Sequence, residues 1–262
     1  YTSGGAGSDN TNALAIAGYT VNPSATRLAN TEIWNGTAWY ELNDLNTARR
    51  VGAATGTSTS AALAFGGEDG SVNIYSITED WNGSVWTEVA DMNNASYGNS
   101  GAGSSTRGLS MGSGPPGKAF TEEWNAGIAV GSWITGGNLN TARRDLAGIG
   151  TSNSSVLAFG GNIPSPPGTE VANSEFYNGS SWSEGNDLNQ ARDNLAGGGT
   201  ATSGLAFGGL RNSDNNRTDE TETWNGLVWA EVNDLNTARR QVGGTGSSET
   251  SALCFGGEDS TT

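Results

Sequence analysis

The sequence predicts an all-β fold: a β-propeller of four-stranded antiparallel blades, formed as a single domain over residues 1–262. Three observations lead there. A half-unit of the type Leu-Ala-Phe-Gly-Gly returns at intervals of roughly 48 residues, centred on Ile16, Phe65, Met111, Phe159, Phe207 and Phe255; a fixed period of this size marks one supersecondary unit stacked repeatedly. A second half-unit, Thr-Glu-x-Trp-Asn-Gly-x-x-Trp, alternates with it and has its first aromatic at Trp34, Trp81, Trp124, Tyr177 and Trp224. Asn-Gly dipeptides at 35–36, 82–83, 178–179 and 225–226 fall between β-rich segments. Asn-Gly in that setting is the strongest short hairpin signal, read as a type I′ turn with φ > 0 at both residues.

The unit from Arg49 to Asp91 shows each strand in order. Arg50–Gly56 is short, small and non-helical; Ala61–Gly67 turns apolar residues to one face and closes on a double glycine. Ile74–Trp81 is rich in β-formers, and Val85–Val89 alternates again after the Asn82-Gly83 turn. Four antiparallel strands repeated radially make a propeller blade. The third unit departs, because Asn125-Ala126-Gly127 opens a longer connection to Trp133.

Composition narrows the function classes. Only 34% of residues are hydrophobic, yet 41 are Gly and 9 are Trp, so the core consists of few large aromatics among very small residues. The formal charge is −15. A surface of that sign repels phosphate backbones and anionic lipid, which argues against nucleic acid and membrane surfaces as partners. No apolar run approaches the roughly 18 residues of a spanning helix, so no membrane insertion is expected. The single cysteine, Cys254, sits where other units carry Ala64, Ala158 and Ala206, and reads as a small strand residue. The chain opens at Tyr1 inside a repeat without a signal-like segment, the expectation for a mature form, an excerpt or the ordered part of a longer protein.

These features together resemble the kelch repeat. The type unit matches it with Gly66-Gly67 closing the second strand, Glu79-x-Trp81 in the third, Trp86 opening the fourth, then Met92, and Arg49 at the unit's start. The resemblance covers nearly the whole chain. Trp replaces the family's usual Tyr in strand three, and the third unit has Ser96-Tyr97 for Arg-Arg and Gly112-Ser113-Gly114 for the double glycine. The resemblance implies a kelch-type propeller of five complete repeats plus a half repeat. Six inner pairs favour six blades, the last half-built; a five-bladed ring is the alternative, with Tyr1–Gly18 as the spare half-unit.

Candidate sites divide into repeated and variable ones. Glu32, Glu79, Glu122, Glu175 and Glu222 lie two residues before the core aromatic and so share its face. A carboxylate there needs a partner, and Arg49, Arg143, Arg192 and Arg239 are the natural ones. Because every unit repeats the pattern, the structural role outweighs a catalytic one. The next arginine, at Arg50, Arg144 and Arg240, lies by the resemblance at the mouth of the central channel and forms a partial positive ring. The loops between strands two and three differ completely from unit to unit and share that face, with Tyr19 and Tyr75 as flat surfaces for sugar rings or side chains. Arg50, Arg144, Arg240, Tyr19 and Tyr75 are therefore the expected ligand-binding residues.

Enzyme readings fare badly. With no histidine there is no Ser-His-Asp triad, Cys-His pair or imidazole metal site, and the copper histidines of galactose-oxidase-like propellers are missing. Glu68-Asp69, Glu258-Asp259 and Asp214-Asn215-Asn216 lack the spacing of a calcium loop. The expectation is no enzyme, no cofactor and no metal. It is a recognition or adhesion module for a glycan or surface protein, extracellular or on a virion, similar in composition to propeller arrays of microbial surface and phage tail proteins. The alternative is a scaffold or assembly subunit, in a homo-oligomer or larger assembly, whose half-blade another chain completes.

Overall fold

A computed structural model describes residues 2–20, 26–50, 52–71, 73–114, 116–127, 131–164, 168–211 and 216–259. Blade 1 is built from β1 (Thr2–Asp9), β2 (Asn12–Thr20), β3 (Thr26–Trp34) and β4 (Trp39–Glu41). Blade 2 is β5 (Ala53–Ser58), β6 (Ala61–Phe65), β7 (Thr78–Trp81) and β8 (Trp86–Glu88), and blade 3 is β9 (Ser100–Gly103), β10 (Gly108–Ser113), β11 (Lys118–Asn125) and β12 (Ser132–Thr135). Blade 4 contains β13 (Ala147–Ser152), β14 (Ser155–Phe159), β17 (Ser174–Tyr177) and β18 (Trp182–Glu184), with a two-residue ribbon of β15 (Asn162–Ile163) and β16 (Thr169–Glu170) in its long loop. Blade 5 repeats this with β19 (Ala196–Thr200), β20 (Ser203–Phe207), β23 (Thr221–Trp224) and β24 (Trp229–Glu231), and a ribbon of β21 (Leu210–Arg211) and β22 (Asn216–Arg217). Each blade is an antiparallel sheet in that strand order, and the described residues contain no helix.

The ring has five four-stranded blades, and the preference for six is corrected. Among the described residues the last copy forms β25 (Arg240–Thr245) and β26 (Leu253–Glu258), a two-stranded hairpin. This hairpin stands between blades 5 and 1. Gly199 N–H donates to Gly246 O at 3.0 Å on one side, and Thr245 Oγ1 donates to Gly7 O at 2.9 Å on the other. The first half-unit is not a spare, since β1 and β2 are the inner strands of blade 1.

The second strands are buried on both faces rather than alternating: Ala62, Leu63, Ala64 and Phe65 are all fully buried. Neighbouring blades cover each side, so a continuous apolar run fits there as it does in any doubly covered strand. The outer aromatics pair within a blade, as Trp224 and Trp229 do at 5.2 Å. They also lock blade to blade. The strand-four indoles of Trp86, Trp133, Trp182 and Trp229 donate to Thr31, Thr78, Thr121 and Ser174 of the preceding blade at 2.9–3.0 Å.

The Asn-Gly connections are four-residue loops, not type I′ turns. Trp224 pairs with Trp229, and only Gly226 has positive φ, at 90°. Asn225 instead accepts the N–H groups of Leu227 and Val228 on its side-chain oxygen at 3.0 and 2.9 Å. Asparagine is there for its side chain and glycine for its φ. Gly226→Ala is expected to cost about 1 kcal/mol or more, read as a lower denaturation midpoint. An unchanged midpoint would mean the loop relaxes to negative φ.

Candidate functional site at the channel mouth

Two arginines end three of the connections, at 49–50, 143–144 and 239–240, and they do different jobs. The first is structural. Arg49, Arg143 and Arg192 meet Glu79, Glu175 and Glu222 at 2.5, 3.1 and 3.0 Å, with all six side chains fully buried. The same carboxylates accept backbone N–H groups of Asn46, Asn140 and Asn189 at 2.6–2.8 Å. Burial pushes Glu175 up and Arg143 and Arg192 down from their ordinary pKa values, against the attraction of their partners. In blade 3 no arginine is supplied, and Asn93 and Asn94 satisfy Glu122 through backbone and amide donors. Glu32 is exposed, and Arg239 reaches only backbone carbonyls, Gly256 O at 2.7 Å and Thr237 O at 3.4 Å. Neither Glu32 nor Arg239 has an ion-pair partner among the described residues.

The second arginine leads to the mouth of a channel that runs between the inner strands. Its middle is lined by glycines such as Gly52, Gly101, Gly148 and Gly244. One mouth is formed by Ser8, Thr57, Thr151 and Ser247 of the constant loops. The other is formed by Tyr19, Arg50, Asn99, Asp145, Asn194 and Gln241.

This second mouth has an unusual backbone. Asp145, Asn194 and Gln241 occupy equivalent places in successive units and hold φ of 54°, 52° and 52°; Gly98 stands in the same place at 65°. Each donates its N–H to the residue one unit back: Asp145 to Gly98 O, Asn194 to Asp145 O and Gln241 to Asn194 O, all at 2.8 Å. The result, among the described residues, is an open hydrogen-bonded circuit of three links along the opening. Left-handed backbone costs a non-glycine residue on the order of 1–3 kcal/mol, and it concentrates at ligand sites. Asn and Asp tolerate it best, whereas Gln241 is held there with its side-chain oxygen accepting from Tyr19 Oη at 2.8 Å.

The five residues expected from sequence are not brought together equally. Arg50 lines the mouth, its guanidinium 5.2 Å from the Tyr19 ring centre, and no carboxylate reaches it among the described residues. Arg144 pairs with Asp145 at 3.0 Å and Arg240 with Glu258 at 2.8 Å, so two of the three charges of the positive ring are neutralised. Tyr19 lines the mouth, but Arg27 and Arg50 both lie over its ring, which makes it a support for the cations rather than an open stacking surface. Tyr75 is half-buried beside the Gly67 carbonyl and does not line the opening.

Sequence reasoning missed Asp145, Asn194 and Gln241. The available signal was their common place, one residue after the Arg-Arg pair or its substitute, in a repeat that otherwise varies little. Asp145 is pushed up to about 6 by burial, the adjacent Arg144 opposing this. Asp193, just outside the circuit, is also raised by burial. Among the described residues no cluster of three or more carboxylate or thiol groups is placed to hold a metal, and Asp214 and Asn215 lie outside them.

The chain matches no family model and no curated protein. The mouth's chemistry therefore stands on its own geometry: a planar donor, amide groups that both donate and accept, and one carboxyl that titrates near neutrality.

Proposed function

We propose that this chain is a kelch-type, non-catalytic recognition module that binds a glycan at the Arg50 mouth, on a cell or virion surface outside the cytoplasm. The observation that supports it is the circuit of left-handed residues, which brings Asp145, Asn194 and Gln241 to the lining of one opening beside Arg50, which no carboxylate reaches among the described residues. Hydroxyl-rich ligands need mixed donors and acceptors in fixed places, and planar guanidinium suits a carboxylate or paired hydroxyls. Single-site affinity would be modest, with attachment arising from many copies together.

A glycan array probed with the chain tests this. Arg50→Ala should lower binding roughly ten- to a hundredfold, the value of a hydrogen bond from a charged donor. Thr151→Ala at the opposite mouth should leave it unchanged. Absence of binding to any glycan, or sensitivity only to Thr151→Ala, would end the reading.

The pH dependence follows from Asp145. Its folded pKa lies above the ordinary value of 3.8, at about 6. The protonated carboxyl is thus favoured by the fold. Its contribution to stability is complete below about pH 4 and is lost as pH rises through 6. Carbon-detected NMR titration should place the Asp145 midpoint near 6, and Asp145→Asn should remove that part of the stability profile. A midpoint near 4 would show that the carboxyl is solvated.

A further inference from the structure

Blade 3 keeps the buried carboxylate of an ion pair but not the cation. In blades 2, 4 and 5 an arginine from the preceding connection meets the glutamate of the third strand. On the way it donates to backbone carbonyls: Arg49 to Gly66 O at 3.0 Å and Thr47 O at 3.1 Å, Arg143 to Gly160 O at 2.9 Å and Asn173 O at 2.6 Å. In blade 3 the arginine is Ser96, and the residues equivalent to these acceptors are Gly112, Asn94 and Phe120, with Glu122 as the glutamate. These four, together with Ser96 and Ser110, lie in the lining of a cavity of about 10 Å³, which is room for roughly one water-sized sphere. Glu122 is 2% exposed. It accepts four N–H groups of Asn93 and Asn94 at 2.8–2.9 Å, which fill its lone pairs but carry no charge. A buried carboxylate without a counter-charge stays costly even when it is hydrogen-bonded. The wall is also more polar than in the sister blades, because Ser110 stands where Ala64, Ala158 and Ala206 do. Ser96 Oγ donates to Ser113 Oγ at 2.8 Å and Ser110 Oγ accepts from Asn99 at 2.9 Å. Each of these two hydroxyl oxygens keeps a lone pair.

We propose that the blade 3 cavity binds a monovalent cation of about the size of water, potassium or ammonium, as the counter-charge to Glu122. Size and charge set this class. The cavity is too small for a free guanidinium group or for a magnesium ion with its retained waters. One carboxylate balances one positive charge, whereas calcium prefers several such ligands. The other oxygens of the lining are hydroxyl, amide and carbonyl, the kinds that replace the hydration shell of a weakly hydrated cation. Phe120 adds an aromatic ring, which attracts cations. Lys118 already holds its ammonium 5.2 Å from the centre of that ring, and it does not line the cavity. Phe120 is itself an exposed residue, so the cavity lies close beneath the surface and an ion can reach it. The proposal is independent of the glycan reading, because the cavity and the Arg50 mouth share no lining residue.

The test compares the melting temperature of the intact chain in potassium, ammonium and choline chlorides at equal ionic strength, choline being too large for the cavity. Potassium and ammonium should each raise it saturably by about 2–4 °C over choline, and the one that saturates at the lower concentration is the preferred occupant. In Ser96→Arg the tethered guanidinium takes the ion's place, so the three salts should give one melting temperature. Equal melting of the parent in all three salts overturns the proposal, and so does a salt effect that Ser96→Arg retains. Crystals of the unchanged chain soaked in thallium(I), a potassium surrogate with strong anomalous scattering, decide the matter even if Ser96→Arg does not fold. An anomalous peak in contact with the oxygens around Glu122 is expected. Density there that fits water alone, with no anomalous signal, overturns the proposal.

Discussion

Replacing Trp229 with alanine is expected to lower stability by about 3–5 kcal/mol, the range for removing a buried large aromatic. Three contacts disappear together: the edge contact with Phe159 at 4.9 Å, the tilted contact with Trp224 at 5.2 Å, and the indole hydrogen bond to Ser174 at 3.0 Å. Ser174 is buried, so its hydroxyl loses a partner as well as a neighbour. Denaturant unfolding followed by circular dichroism measures the loss. The informative control is Trp39→Ala, where the indole is half-buried and its N–H has no acceptor among the described residues. That change should cost clearly less. Equal costs would mean that the indole-to-hydroxyl lock between blades adds nothing.

The second large effect is expected at Glu222. Glu222→Ala leaves the guanidinium of Arg192 buried, without its carboxylate, and removes the acceptor of the Asn189 N–H and side-chain amide. Breaking half of a buried pair costs about 3–5 kcal/mol. Burial already disfavours the charged form of Arg192, and Glu222 is the carboxylate that opposes this most, ahead of Glu220 and Glu231. Changing Glu222 and Arg192 together to apolar residues of similar volume should recover much of the loss, because the pair's own desolvation disappears with it. If the double change is as damaging as the single one, the residues matter through packing and not through charge.

The architecture was legible because repetition multiplies weak signals. One Gly-Gly or one Trp says little, but the same residues in phase from Phe65 to Phe255 permit a single reading. The pairing of Arg49, Arg143 and Arg192 with their glutamates was legible for the same reason. The hairpin loops were misread because the dipeptide Asn-Gly serves two geometries. In this one Asn225 acts through its side chain, which a φ-based rule does not see. The mouth was only half legible. Arg50 could be placed by its position in the repeat, but that Arg144 and Arg240 are neutralised depends on Asp145 and Glu258, brought near by the turn of the backbone. Tyr19 offered an aromatic face in the sequence; two cations over that face are a fact of tertiary structure.

The hydrogen-bonded circuit at the mouth has an evolutionary corollary. Its links are main-chain groups, so the circuit survives when the side chains on it are exchanged: Gly98, Asp145, Asn194 and Gln241 already occupy one backbone position with four different chemistries. The locks that hold the blades together lie elsewhere, in the indoles and the buried ion pairs. Selection can therefore rewrite the opening one letter per repeat while the scaffold stays constant. Duplication of units would enlarge the alphabet available to a descendant without asking the ring to be reinvented.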